Sequence, residues 1–208
     1  MVTSGNKPLG VVIPTRWEAG AILRRFGFKR LGPALYTSCI SNVPVFLCLS
    51  GVGRQAAGRA AECLVAQGAK ALVSMGFCGA LVPALAVGDL VTGRIVTVDK
   101  PVQTPEERRQ LAARTSAVAA DMETQAIIET GTRRGVPIRV MRIVSDGVGD
   151  DLTPLFGSRA AFSPVFLFLR LLNPRLWPLA RRLYRQSAIA KTRLAEALLQ
   201  ACAKSPRS

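Results

Sequence analysis

The sequence contains no histidine among its 208 residues. Without an imidazole group the chain cannot build a Ser/His/Asp or Cys/His catalytic arrangement, and a metal site with histidine ligands is excluded. Any acid or base chemistry must therefore fall to carboxylates.

Cysteines are few, and their spacing does not indicate disulfide pairs. The five residues are Cys39, Cys48, Cys63, Cys78 and Cys202. Their number is odd and no two form a CxxC pair, so the sequence indicates neither a disulfide framework nor a zinc ribbon. A reducing, cytoplasmic environment fits this pattern best.

Acidic residues are scarce, with 13 Asp and Glu against 28 Lys and Arg, which gives a net charge of +15. The excess is uneven, because residues 153–208 hold ten basic residues and a single acid, Glu196. Apolar residues make up 49% of the chain, which argues against disorder. We expect residues 1–208 to form one domain, with a basic, leucine-rich helical part at 159–203.

Long apolar runs are also missing. Residues 1–14 lack the charged segment followed by an apolar stretch that marks a signal peptide, so we do not expect secretion. Residues 71–88 carry no charge, but three glycines and a proline interrupt them. This stretch is better interpreted as a buried strand followed by a glycine turn than as a membrane span.

Short β-branched segments alternate with helical patterns over most of the chain. The predicted strands are 10–14, 45–50, 71–76, 90–98 and 138–144, and the predicted helices are 54–68 and 122–135. The strands are apolar on both faces, as in a sheet that is covered on both sides. This alternation predicts an α/β sandwich.

Three of these strands end in small or polar residues, namely 51–53, 76–79 and 145–147. Open α/β sheets bind ligands at such strand ends. Three carboxylates lie nearby: Glu18 follows the first strand, Glu123 begins a helix and Asp146 ends a strand. Each alone is readily explained as a solvated, capping or turn residue, whereas together they would surround one cleft.

Five segments in this order, SGVGRQAA, SMGFCGAL, VGDLV, AADMETQAI and RIVSDGVGD, resemble the nucleoside phosphorylase and nucleosidase superfamily. The resemblance runs from about Leu9 to Asp151. It points to the branch with methylthioadenosine/S-adenosylhomocysteine nucleosidase and purine nucleoside phosphorylases. Within that branch, the segment VDKPVQTPEERRQLAARTSAVAADMET and the basic C-terminal part are most similar to hopanoid-associated phosphorylases, proposed to remove adenine from adenosylhopane.

The resemblance implies a three-layer sandwich with a central mixed sheet, and it implies roles for particular residues. Asp146 matches the general acid that protonates the purine at N7, supported by Ser145. Met122 and Glu123 match the pair that packs on the sugar and binds its hydroxyl groups. Glu18 matches the glutamate that activates water in the nucleosidases. The loop beside sugar and base corresponds to Gly76, Phe77, Cys78 and Gly79.

The resemblance implies no metal and no cofactor beyond inorganic phosphate as a possible co-substrate. The GDPxR phosphate loop of the hexameric phosphorylases is absent, and Gly53, Arg16 and Arg54 are the candidates for binding phosphate. Phosphorolysis and hydrolysis both stay open. Cleavage of an N-glycosidic bond suits these residue types, because one carboxyl can protonate the leaving base while another lies near the sugar.

The chain departs from the family at Thr92–Thr97, where the family usually has several dozen residues. Either the protein is a compact variant that still releases adenine, or it is a catalytically impaired nucleoside- or lipid-binding member. Family members form dimers, trimers or hexamers, which implies a homo-oligomer here.

Residues 162–185 combine leucines and aromatic residues with five arginines. They are interpreted either as short helices packed on the sheet or as a segment lying on an anionic membrane surface, peripheral to the inner face. Nucleic acid ranks below the membrane as a partner, because no nucleic-acid-binding fold is recognisable. A purely structural role is the remaining hypothesis.

Overall fold

A computed structural model describes residues 7–156 and 172–204. The strands are β1 Leu9–Ile13, β2 Lys29–Arg30, β3 Leu35–Ile40, β4 Val43–Leu49, β5 Ala71–Ala80, β6 Leu90–Val91, β7 Ile95–Thr97, β8 Ala119–Asp121 and β9 Ile138–Asp146. The helices are α1 Arg16–Arg25, α2 Arg54–Ala66, α3 Pro105–Thr115, α4 Thr124–Arg134, the single turn α5 Thr153–Phe156 and α6 Trp177–Ala203, which follows a 3-10 turn at Pro174–Leu176.

All nine strands of the described residues belong to one mixed sheet. Its main order is β2-β3-β4-β1-β5-β8-β7, and β9 pairs with β5 and β6. The central pairs β4-β1, β1-β5 and β5-β9 are parallel, whereas β3-β4, β5-β8 and β6-β9 are antiparallel. The register of β5 against β9 shifts between Cys78 and Gly79, and the last two residues of β5 also pair with β8. This bulge bends β5 where the candidate site begins.

Helices cover both faces of the sheet. On one face α1 and α6 pack on β1, β4 and β5 through residues such as Ile22 and Leu194. On the other face α2 and α4 pack through Leu64 and Ile127. These two cores confirm the predicted three-layer α/β sandwich with a central mixed sheet.

The predicted strand over 90–98 is wrong as a single element. It is divided into β6, which pairs with β9, and β7, which pairs with β8. Between them the chain turns at Thr92–Arg94, and Arg94 adopts a positive φ of 55°. β-propensity alone did not reveal this turn, because the residues on both sides are β-branched or apolar.

The helices α1 and α3 and the single turn α5 were not predicted, and a capping box begins each of the first two. Thr15 caps α1 and exchanges hydrogen bonds with Glu18, and Thr104 does the same for α3 with Glu107.

At the C-terminal end, the expectation of short helices over 162–185 falls partly on residues 157–171, outside those described. From Trp177 onward there is one helix of 27 residues, with Pro178 tolerated because it lies in the first turn. In the described part of the chain, no helix is long and apolar enough to cross a membrane.

Candidate functional site

A cavity of about 910 Å³ opens at the carboxyl ends of β1, β5 and β9. Its walls also include the start of α1, the end of β8 and one side of α6. Of the residues predicted from the sequence, the cavity is lined by Glu18, Phe77, Cys78, Gly79, Met122, Glu123, Ser145 and Asp146. The structure therefore brings all three predicted carboxylates to one place.

Glu18 lies in the first turn of α1 and is only 8% exposed. One carboxylate oxygen accepts hydrogen bonds from the backbone N–H and the hydroxyl of Thr15, each at 3.0 Å. The other accepts from the backbone N–H of Phe77 at 3.0 Å. Burial raises the pKa of Glu18, and these hydrogen bonds and the charge of Arg142 only partly offset that effect. A buried carboxyl of this kind can serve as a base.

Glu123 occupies the position that precedes α4, but its side chain does not cap this helix. Its carboxylate instead accepts from the backbone N–H of Gly53 at 2.9 Å and from Arg142 Nη1 at 3.2 Å. Asp121 provides the capping contact, because it accepts from the backbone N–H of Thr124 at 3.0 Å. Burial raises the pKa of Glu123, and the nearby Arg142 charge opposes that rise.

Arg142 is fully buried in β9 and joins the carboxylates of two neighbouring residues. Its guanidinium lies 3.0 Å from Asp121 Oδ2 and 3.2 Å from Glu123 Oε2. It also donates to the hydroxyls of Ser74 at 3.0 Å and Thr124 at 3.1 Å. The arginine thus compensates two buried negative charges and orients Glu123 at the cavity wall.

Asp146 ends β9 with one carboxylate oxygen held by Ser145 and the other by Arg108. The Ser145 hydroxyl donates to Asp146 Oδ1 at 2.5 Å, and Arg108 Nη2 lies 2.6 Å from Asp146 Oδ2. The Arg108 side chain is 1% exposed and also donates to the carbonyls of Ala80 and Val102, each at 3.1 Å. Asp146 is therefore held by a helix, α3, that no motif indicated.

The rest of the cavity wall is mainly apolar. The apolar side consists of Trp17, Leu152, Leu155, Leu183 and Tyr184. Trp17 and Tyr184 contact each other with ring centroids 5.9 Å apart, and they are 51% and 63% exposed. Two rings that line the cavity and also face solvent mark its mouth.

Four predicted residues lie outside the cavity wall. Gly76 lies beneath it, where a β-carbon would approach Arg142 Nη1 to 2.7 Å and Pro14 Cδ to 2.9 Å. The three phosphate candidates have protein partners: Gly53 donates to Glu123, Arg16 to the Tyr36 hydroxyl, and Arg54 to Asp99 and the Thr97 carbonyl. In residues 7–156 and 172–204, no cluster of Asp, Glu and Cys is suited to hold a metal ion.

Sequence reasoning missed Arg142 and Arg108. A signal existed for Arg142, because a charged residue within the apolar strand IRVMRIV must be compensated when the strand is covered on both faces. Arg108 lies in the run EERRQ, which looks like an exposed helix surface, and its neighbour Arg109 is indeed 67% exposed. Its burial follows only from the way α3 packs against the end of β5.

Comparison with known proteins identifies the family and the fold of the chain. The family model described as the phosphorylase superfamily matches residues 8–92 and 90–161. The two matched segments meet at residues 90–92, next to Thr92–Thr97, where the sequence analysis places the shortened segment. No curated protein gives a significant sequence match.

Solved structures share the fold at low identity. The 5′-methylthioadenosine/S-adenosyl homocysteine nucleosidase of Helicobacter pylori has a TM-score of 0.64 at 18% identity, over 80% of this chain and 98% of that one. Futalosine hydrolase of the same organism gives 0.64 and 18%, over 79% and 97%. A putative 5′-methylthioadenosine/S-adenosylhomocysteine nucleosidase of Francisella philomiragia gives 0.69 and 14%, over 95% and 99%. Because the family model matches most of the length of this chain, the chain belongs to the phosphorylase superfamily.

Proposed function

We propose that the protein cleaves the N-glycosidic bond of a purine nucleoside and that its substrate is an adenosyl lipid such as adenosylhopane, from which it releases adenine. The observation that carries the proposal is that Asp146, which ends β9, and Glu123, which precedes α4, line one cavity with Glu18. Cleavage of this bond needs a proton at the base and negative charge or acceptors near the sugar. The three carboxylates provide these groups without histidine or metal.

In this mechanism Asp146 transfers its proton to N7 of the purine while the C1′–N9 bond breaks and its electron pair passes to the base. Positive charge develops on the sugar, where Glu123 accepts hydrogen bonds from the ribose hydroxyls and Met122 packs on the ring. A water molecule then forms the new bond to C1′ and gives its proton to Glu18. Phe77, Cys78 and Gly79 form the wall beside the base and sugar.

Hydrolysis is supported more strongly than phosphorolysis. Glu18 is buried with a raised pKa, as an acid–base group requires, and it lines the cavity. Arg16 and Arg54 do not line it and already have protein partners. We therefore expect adenine release to proceed without added phosphate.

The raised pKa of Glu18 leads us to expect that Glu18→Gln changes both the pH dependence of stability and the rate of hydrolysis. Burial raises the pKa of Glu18, so it ionises at higher pH in the folded protein than the ordinary 4.5 and acts as a base only above the raised value. Its ionisation therefore costs folding stability as pH rises from 4.5 through the raised value. Glu18→Gln should match the wild type in stability below pH 4.5, become more stable than it at higher pH, and lose about 10²-fold or more in hydrolysis. Urea unfolding as a function of pH, together with adenine release, measures both effects. An unchanged rate would remove Glu18 from the mechanism.

The apolar side of the cavity supports a nucleoside with an apolar 5′ substituent. Leu152, Leu155 and Leu183 give this side an apolar surface, and Arg181 and Ser187 of α6 also line the cavity. A hydrocarbon that leaves water for this wall gains roughly 0.8 kcal/mol per buried methylene. Release of adenine should therefore become more efficient from adenosine to methylthioadenosine to a 5′-alkylthioadenosine with a longer chain. A decrease in kcat/KM along this series would contradict the lipid part of the proposal.

A membrane surface as partner is supported by the exposed side of α6 and the turn before it. Leu172, Trp177, Tyr184 and Ile189 are each at least half exposed. Over residues 172–189 the chain has four arginines and no acid. The cavity mouth at Trp17 and Tyr184 opens beside these residues, so a lipid nucleoside could enter directly from an anionic bilayer.

Binding to vesicles tests this partner. The protein should bind vesicles of phosphatidylcholine with phosphatidylglycerol, less so with added salt, and bind phosphatidylcholine alone weakly. Arg175→Glu with Arg185→Glu should weaken binding about tenfold or more, whereas the matched pair Arg59→Glu with Arg114→Glu, exposed on other helices, should not. Equal effects of both pairs, or binding of duplex DNA in place of vesicles, would contradict the assignment.

A further inference from the structure

Two glycines in β5 each leave space for a buried arginine. A β-carbon at Gly76 would lie 2.7 Å from Arg142 Nη1, and one at Gly79 would lie 2.7 Å from Arg108 Nη1 and 2.8 Å from Asp146 Oδ2. Real β-carbons do not approach other atoms so closely. The glycines of the GFCG segment therefore leave room for two guanidinium groups, that of Arg142 beside Glu123 and that of Arg108 beside Asp146.

The geometry points to Arg108 as a positioning residue for Asp146, seated by Gly79 and delivered by α3. This inference rests on the proposed function, because the role of Asp146 is part of it. Arg108 acts through Asp146 and is not itself assigned to the bond that breaks. Its contacts with the Ala80 and Val102 carbonyls fix the guanidinium, and the 2.6 Å ion pair fixes the carboxyl group at the cavity wall.

The placement of Arg108 gives the ion pair a chemical consequence. When Asp146 transfers a proton to N7, a negative charge remains on its carboxylate, and the adjacent guanidinium stabilises that charge in a buried environment. After adenine leaves, Glu18 releases to solvent the proton of the attacking water and Asp146 takes one up from solvent, which restores both groups. The chain supplies this arginine from α3, just beyond the shortened segment at Thr92–Thr97.

The contrast with Arg109 supplies a matched control. Arg108 and Arg109 are neighbours in α3, but the Arg109 side chain is 67% exposed and pairs only with Glu106 of its own helix. Arg108→Met and Arg109→Met remove the same charge from the same helix. Only the first removes a partner of Asp146.

The test is a double-variant cycle with adenine release from methylthioadenosine. We expect Arg108→Met to lower kcat about 10- to 100-fold with a smaller change in KM, and Arg109→Met to leave both unchanged. In the Asp146→Asn background, Arg108→Met should cause little further loss, because both changes disable the same group. Full activity of Arg108→Met, or a loss that is equally large in both backgrounds, would overturn the inference.

A binding measurement separates this inference from the proposed function and from a merely structural role. Adenine and 7-deazaadenine differ at the N7 position, so calorimetry with both reports the contact that Asp146 makes. The wild type should prefer adenine, Arg108→Met should lose that preference, and Arg109→Met should keep it. If the wild type shows the preference but releases no adenine, the catalytic proposal fails while the positioning role stands. If the preference is unaffected by Arg108→Met, the positioning role fails.

Discussion

Asp146→Asn should lower the rate of adenine release by about 10²- to 10⁴-fold while leaving the protein folded. An amide of the same shape can still accept from Ser145, but it cannot give a proton to N7 as the glycosidic bond breaks. The loss should appear mainly in kcat, because proton donation to N7 stabilises the transition state more than it stabilises the bound substrate. Adenine release followed by chromatography measures it.

The control for this variant is Asp150→Asn, an aspartate close in sequence that does not line the cavity. Asp150 accepts from the Gly147 backbone N–H and pairs with Arg182 at 2.8 Å, so its loss perturbs the same loop without touching the acid. We expect Asp150→Asn to retain most activity. Turnover of Asp146→Asn near that of the wild type would remove Asp146 as the acid.

Arg142→Met should destabilise the fold by about 3–5 kcal/mol. Methionine replaces the unbranched stem of the side chain but not the guanidinium, and so leaves the carboxylates of Asp121 and Glu123 buried without their positive partner. The hydroxyls of Ser74 and Thr124 lose a donor at the same time. A loss of this size is a large part of the stability of an ordinary domain, so the variant should also be difficult to purify folded.

Arg139→Met on the same strand is the matched comparison. Arg139 is half-buried and donates to carbonyl groups at the end of α6, and among the described residues it has no carboxylate partner. We expect it to cost about 1 kcal/mol in urea unfolding. Equal losses of unfolding free energy for the two variants would mean that Arg142 does not stabilise the fold through the carboxylates around it.

The sheet could be predicted from the sequence because its central strands are apolar on both faces. β1, β5 and β9 form where the runs GVVIP, ALVSMG and IRVMRIV occur. The register shift of β5 at Gly79 and the turn at Arg94 could not be predicted, because both depend on pairing with strands distant in sequence. The helix α3 was missed because, apart from its cap, its sequence has little apolar periodicity.

Only some residues of the candidate site could be predicted from the sequence. Carboxylates at strand ends could be found, since polar residues after buried strands are conspicuous and the parallel strands deliver them to one edge. Their compensating arginines were not found, because the partner of a buried charge is defined by packing and not by spacing. Glu18, taken by itself in the sequence, is expected to be solvated. In the structure it is buried, because it forms a capping box with Thr15 and accepts a hydrogen bond from the backbone N–H of Phe77 in β5.

The most direct test of the central claim is release of adenine from adenosylhopane in detergent, without phosphate, beside adenosine and methylthioadenosine. We expect adenine from the lipid nucleoside at the highest kcat/KM of the three, with no requirement for phosphate. Absence of adenine from all three, with or without phosphate, would contradict it. The cavity at Asp146 and Glu123 would then be a binding site in a member of the superfamily that has lost its catalysis.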